Sequence, residues 1–361
     1  MLLFVLRRIG VMVLTALCLT FIVFFLTNLQ PNLEKLAKSE ASARMTDAEV
    51  GRWLEANGYM QPTLVRYGEW LGVLPGWTRT DDNGVTTGRC VRRVPAGETP
   101  PRFCGVLQAD WGTSTVFKTP VANILGRSLV ATGWLMLWVM IVMVPSALIL
   151  GVLAGMREGS RTDRTLSTVA IVSTATPEYV SGVILIAVLA SATAGLSPLL
   201  AEWGLISGRT LFMGTATSAM DNITFWNFGL PVLTVALYGM GYIARMTRAS
   251  MTEVMTAQYI RTARLKGVSF RQVVLRHALR NALIAPFTVI MLQFPWLLNG
   301  VVIVETLFNY KGFGWTLVQA AGNNDIEMLL GCSVVAVFVV LITQLISDIG
   351  YVFLNPRIRI A

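Results

Sequence analysis

Residues 245–286 read RMTRASMTEVMTAQYIRTARLKGVSFRQVVLRHALRNALIAP, with eight Arg or Lys against a single acid, Glu253. The stretch lies between two apolar segments, and its charges alternate with apolar residues at helical spacing, which a solvating tail has no reason to do. It reads as folded, cytoplasmic and built to dock something. Ser250, Met251, Thr252 and Glu253 fit a capping box, with Met251, Val254, Met255 and Tyr259 on one face; a helix either starts there or continues from the preceding span. Gly267 suits a C-terminal cap behind Arg264 and Lys266, since cations favour the last turn of a helix. Ser269, Phe270, Arg271 and Gln272 repeat the box, and Phe270, Val273, Val274, His277 and Ala278 line one side. The local chemistry predicts two short helices with a glycine break, and Pro286 sits where the chain next enters the membrane.

The chain as a whole is 54% hydrophobic and 14% charged, with a mean hydropathy of +0.61 over 361 residues, and its apolar residues come in blocks of membrane-spanning length. This is the composition of an all-α polytopic membrane protein. A net charge of +9 in a soluble domain would suggest nucleic acid, but here the sidedness of Lys and Arg accounts for it, and no nucleic-acid partner is expected. Of the four cysteines, Cys18 and Cys332 lie in apolar segments and Cys90 and Cys104 in a polar loop; no CxxC or Cys/His cluster suggests a metal site.

In chain order, Arg7 and Arg8 precede the apolar run Ile9 to Leu26. No small-residue cleavage pattern follows, so residues 1–27 read as a retained first span with the N-terminus inside. Residues 28–123 form a polar extracytoplasmic region of near-balanced charge, eleven Lys or Arg and ten Asp or Glu. Within it Met45 to Leu74 looks helical: Thr46 and Glu49 fit a capping box, and Pro62 separates two short helices. Thr78 to Gly105 is rich in Gly, Pro, Thr and Arg and holds Cys90 and Cys104. A disulfide closing that loop in an oxidising compartment would contribute about 3 kcal/mol, and the alternative is two free thiols.

The remaining chain, 124–361, reads as a five-span core. Its spans are expected at Ser128 to Gly155, carrying the small-residue pair Gly151 and Gly155; Leu166 to Leu196, interrupted at Pro177; Leu230 to Ala244; Ala282 to Val304; and Met328 to Leu354. Inside segments then hold fifteen Lys or Arg, including Arg157, Arg161, Arg164, Arg357 and Arg359, whereas the two short outside loops hold only Arg209 and Lys311. That asymmetry gives six transmembrane helices with both termini in the cytoplasm.

The blocks YIRTARLKGVSFRQVVLRHALRNALIAP, LPVLTVALYGMGYIARMTRASM, VVIVETLFNYKGFGWTLVQAA and ISDIGYVFLNPRIRI, with YMQPTLVRYGEWLG and DWGTSTVFKTPV nearer the N-terminus, together resemble permeases of the dipeptide/oligopeptide/nickel ABC importer family. The resemblance covers nearly the whole chain. It implies a type I (MetI-like) permease core in a bacterial inner (plasma) membrane. The family's loop pattern EAAxxxG is met by Arg261, Thr262, Ala263 and Gly267, in the spelling that does not require Glu. In the family this loop forms a coupling helix that docks on a cytosolic ATPase, which assigns Tyr259, Arg261, Thr262, Ala263, Lys266 and Gly267 to ATPase coupling. The resemblance further implies a homologous second permease, two ATPase subunits carrying ATP and Mg, an outside solute-binding protein and membrane lipid, with no cofactor bound by this chain. Short peptides are the default substrate; nickel chelates, opines, glutathione and oligosaccharides are the others. The chain departs from the family in inserting residues 78–106, and in having Glu178 after the third-span proline, Lys311 before Gly312 and Asn355 before Pro356.

Other candidates come from the residues themselves. An intramembrane carboxylate costs about 2.5–3.5 kcal/mol on insertion scales, so Glu178 either faces the pathway or pairs with a partner helix. Gln293, Trp296 and Asn299 recur at i, i+3 and i+6 and are expected to line the path or to pack between helices. His277 reads as an interface or packing residue, and Arg245 and Arg248 as steadying the loop or the membrane surface. The sequence has no HExxH, GxSxG or GxxxxGK[ST], which speaks against a membrane-embedded hydrolase and puts ATP hydrolysis on another chain. A scaffold without transport would tolerate deletion of Arg261 to Gly267, and a secondary carrier would need no ATPase.

Overall fold

The computed structural model describes residues 2–80, 86–91, 99–206 and 208–354, the side chains of 2–5, 294–300 and 350–354 excepted. The helices are α1 (Leu2–Thr27), α2 (Gln30–Glu40), α3 (Asp47–Ala56), α4 (Thr63–Leu71), α5 (Val121–Gly155), α6 (Arg161–Ala175), α7 (Glu178–Leu189), α8 (Leu196–Glu202) and α9 (Phe225–Met255). They continue with α10 (Gln258–Leu265), α11 (Phe270–Gln272), a π-helical segment Val273–Ala278, α12 (Leu279–Ala282), α13 (Ile284–Leu307), α14 (Phe313–Gly322) and α15 (Ile326–Leu354). A two-stranded antiparallel hairpin, β1 (Thr78–Thr80) and β2 (Thr86–Gly88), pairs Thr78 with Gly88 and Thr80 with Thr86.

The chain is an all-α membrane protein. Among the described residues four helices are long and apolar enough to cross a bilayer, and the count reaches six when the bent pairs α6 with α7 and Phe270–Ala282 with Ile284–Gln293 are each one span. The first pair bends by 108° and the second by 49°. The sequence places a single interrupted span at 166–196, and the structure splits it sharply because Pro177 occupies the N-cap of α7 and forces Thr176 out of helical geometry. The backbone at the break stays satisfied: Thr176 N–H donates to Val172 O, and Val180 and Ser181 N–H donate to Pro177 O. The span expected at 230–244 is longer, running as α9 from a Thr224 cap to Met255. Ser250 is therefore an interior residue, so no helix begins there. The loop expected at 305–327 contains α14, and Glu305 still belongs to α13.

The chain divides into two compact units. The first comprises Met1–Ser128 and Thr316–Val339. Its core gathers Phe24, Leu33, Leu36, Leu54, Trp70 and Leu330, all nearly fully buried. The capping box at Thr46 forms in both directions, and the Thr46 backbone N–H holds the Glu49 carboxyl below its ordinary range. Pro62 caps α4, which ends on Gly72 at φ 86°. The sulfurs of Cys90 and Cys104 are bonded to each other, with Gly76 so close that an added Cβ would lie 2.4 Å from the Cys90 Sγ. Asp325, fully buried, caps α15 by accepting from Met328 N–H and also takes the Ser114 hydroxyl and the Val116 N–H, which binds the DWGTS block to that helix.

The second unit comprises Leu129–Trp315 and Val340–Ala361. Its centre is α9, which packs against α6, α7, α12 and α13. Leu135, Val139, Met143, Val235, Ile243 and Val304 are wholly buried in its core. Gly151 and Gly155 let α5 meet the backbone of α9: a Cβ on Gly151 would stand 2.6 Å from Ala244 O, and one on Gly155 2.7 Å from Arg248 O. Gly133 on the same helix has nothing within 4 Å of its added Cβ. Gly151→Val should therefore cost about 1–3 kcal/mol by overpacking and lower the thermal midpoint of the purified chain in detergent, with Gly133→Val unchanged. Equal midpoints for the two variants would rule out this close approach.

Candidate functional site

The organising stretch folds as a small helical knot with its own core. Ile260 and Ala263, three residues apart on α10, point inward onto Met251, Val273, Val274 and Ala278. At its end Gly267 takes φ +75°, the Gly267 N–H donates to Arg264 O and the Val268 N–H to Ala263 O. Those two bonds are a Schellman motif, and Val268 completes it by joining the same apolar cluster as Ala263. Nothing lies within 4 Å of an added Cβ on Gly267, so the glycine is required by its backbone angle and not by lack of space.

The outward face of α10 carries Arg261, Thr262, Arg264, Leu265 and Lys266, all exposed, and Leu265 is 81% exposed despite being wholly apolar. Tyr259, expected on the inner face, is 43% exposed, and its hydroxyl accepts from Asn281 Nδ2 at 2.9 Å, tying α10 to α12. Thus Tyr259, Arg261, Thr262, Lys266 and Gly267 share the exposed side, whereas Ala263 is an anchor beneath it.

The second helix begins after Ser269 as expected, but the Ser269 side chain makes no capping hydrogen bond. The backbone beyond it widens into a π-helix at Val273–Ala278, closed by Leu279 N–H to Val274 O. This change of period moves Phe270 off the buried stripe to 39% exposure, where Arg157 at 5.5 Å and Arg264 at 5.9 Å lie over its ring. Val273, Val274 and Ala278 stay buried, and His277 is half-buried beside them.

Behind the knot stands an ion pair that the sequence reading did not find. Arg248 donates from Nε to Asp163 Oδ1 at 2.5 Å and from Nη2 to Oδ2 at 2.8 Å. Asp163 also takes the Gly159 N–H and the Ser167 hydroxyl, and its own N–H is capped by Ser160, so every carboxylate oxygen is engaged. The available signal was an acid three residues after Ser160, the spacing of a helix cap, close to Arg161 and Arg164. Arg245 is exposed, while Ser250, read as a cap, donates instead to Ala282 O at 2.8 Å and closes the end of α12.

Of the pathway candidates, Glu178 is half-buried in the first turn of α7, where a carboxylate suits the helix dipole, and has no hydrogen-bond or ion-pair partner among the described residues. Gln293 is buried on α13; the side chains of Trp296 and Asn299 lie outside the described residues. A second buried acid went unnoticed in the sequence. Glu305, 0% exposed, accepts from Thr132 Oγ1 at 2.5 Å and from Trp315 N–H at 3.1 Å. Its signal was a carboxylate just ahead of the turn Asn309 to Gly312, beyond which the first amides of α14 need acceptors, as Trp315 N–H does.

Known proteins are similar to this chain in sequence. A family model described as the inner membrane component of binding-protein-dependent transport systems matches residues 147–360, which include the knot, the ion pair and Glu305. The chain is 33% identical to a probable peptide ABC transporter permease protein of Sinorhizobium fredii, over 70% of this chain and 77% of that one. It is 29% identical to an oligopeptide transport system permease protein of Bacillus subtilis, over 88% and 87% of the two chains. It is 32% identical to a glutathione transport system permease protein of Salmonella choleraesuis, over 70% and 76%. The protein belongs to this family of inner-membrane transport components.

Removing one partner from a buried pair strands the other. Since the Arg248 side chain is 31% exposed and that of Asp163 4%, Asp163→Ala should cost about 2–3 kcal/mol, at or just below the usual range for a broken buried pair. Asp163→Leu combined with Arg248→Met should recover most of that loss in thermal unfolding of the purified chain. A single variant as stable as the parent would show that the pair contributes nothing.

Proposed function

We propose that the chain is the permease subunit of an ATP-driven, binding-protein-dependent importer of short peptides or similar small solutes, with α10 as the helix that receives ATPase movement. The observation that carries this reading is the construction of α10. Its inner face is locked to the ends of α9 and α12, its exit is closed by a Schellman motif, and it presents the apolar Leu265 outward with no apolar neighbour to cover it. A rigid helix seated on two spans transmits a push to both. The sequence holds no phosphate-binding loop, so ATP and Mg belong to two separate ATPase subunits. Six spans form half a pathway, which a homologous second permease completes, and a solute-binding protein delivers substrate from outside. Short peptides are favoured because relatives are named as peptide, oligopeptide and glutathione permeases, and glutathione is itself a small peptide. Glu178, Gln293, Trp296 and Asn299 are the residues assigned to the pathway, and the disulfide-closed insertion at 78–106 to the docking of the binding protein or the cover of the entrance.

Because Gly267 is needed for its positive φ and has open space around it, side-chain chemistry should rank its variants. Asn tolerates this conformation and Val does not. In vesicles containing the assembled complex, Gly267→Val should abolish ATP-driven peptide uptake while ATP hydrolysis continues, and Gly267→Asn should keep most of the uptake. Normal uptake by the Val variant would remove α10 from the coupling route. Replacing Thr78 to Gly105 by a short Gly-Ser linker should lower both uptake and affinity for the binding protein; unchanged values for both would free the insertion from any docking role.

A further inference from the structure

The first unit contains a cavity of about 130 Å³ whose chemistry the transport reading does not use. Arg66 lines it, at 8% exposure. A guanidinium has five N–H donors, and among the described residues the only hydrogen bond from Arg66 goes to the neutral Asn28 amide oxygen. No described carboxylate forms an ion pair with Arg66. Its charge is instead stacked over the Tyr59 ring at 5.2 Å. Burial accordingly pushes the Arg66 guanidinium below its ordinary value.

The opposite need is present in the same cavity. Glu327 Oε2 forms an ion pair with Arg89 Nη2 at 3.9 Å, too long for a hydrogen bond, and among the described residues it has no hydrogen-bond partner. Arg89 Nε and Nη2 likewise make no hydrogen bond among the described residues. Trp70 and Trp77 supply apolar walls. The lining thus offers donors and an acceptor without hydrogen bonds around a small polar space.

Charge decides which ligand fits. A simple anion would leave the Glu327 oxygen without a donor, and a simple cation would leave the Arg66 donors unused. A molecule that carries both groups answers both needs, and a space of this size suits a small one. We propose that this cavity is a binding site for a small zwitterion, a free α-amino acid of the size of glycine or alanine, with its carboxylate on Arg66 and its ammonium on Glu327. The proposal does not rest on the import reading, because every residue named for the site lies in the first unit of the chain.

The test is equilibrium dialysis of radiolabelled alanine against the purified full-length chain in detergent micelles, with no partner subunits. Saturable binding in the millimolar range or tighter is expected. Arg66→Gln and Glu327→Gln should each weaken it by about tenfold or more, the scale of a hydrogen bond to a charged group. Unlabelled glycine should compete, and acetate or methylammonium alone should not. Quenching of Trp70 and Trp77 fluorescence in the unaltered chain provides a second readout if either variant fails to fold. No saturable binding to the parent chain, binding indifferent to both variants, or equal competition by acetate or methylammonium would each overturn the proposal.

Discussion

A bidentate ion pair between Asp163 and Arg248 fixes the C-terminal end of α9, and much of the second unit is arranged around that helix. Asp163 is also bound by the cap of α6, so the pair joins one helix start to the side of another. Near it α5 comes within backbone distance through Gly151 and Gly155. Below it the last turns of α9 supply Met251 and Val254 to the core of the knot. With Asp163 almost fully buried, this anchor is screened little by salt.

The bilayer imposes a second constraint, that no backbone polar group inside it be left alone. Each break in a span is therefore repaired locally. Pro177 supplies its own carbonyl to the first amides of α7, and Ser250 covers the Ala282 carbonyl where the chain bends into α13. At the other end of α13, Glu305 does the reverse and supplies acceptors. Its carboxylate collects the Thr132 hydroxyl and the Trp315 amide, and Thr132 in turn accepts from Phe313 N–H. Gly312 has to be glycine here, since an added Cβ would fall 2.1 Å from the Glu305 Oε1. The turn is thus wrapped on a buried carboxyl group as well as on the apolar core that Phe308 and Tyr310 join.

The sequence displayed the spans and the glycine that ends α10, because each depends on local composition or on a single backbone requirement. Hydrophobic blocks survive any packing arrangement, and a positive φ is written directly as Gly267. Asp163 and Glu305 were hidden because their partners stand 85 and 173 residues away along the chain. The π-helix was hidden for another reason. Val273 to Ala278 has ordinary α-helical residues, and only packing against α9 and α10 favours the wider turn that displaces Phe270. The same limit explains Ser250 and Ser269, where a correct residue pattern met a helix that continued or a side chain that did not turn back. Pattern reading finds where a cap is permitted; the fold decides whether it is used.

The bond between Cys90 and Cys104 also has a topological meaning. It makes the intervening chain a closed covalent ring, and Arg92, Arg93 and Arg102 lie within it. A trypsin-like protease that cut at any of these would open the ring without separating the polypeptide. The two fragments would travel together until a reductant released them, so a nicked molecule and an intact one have the same mass apart from one water.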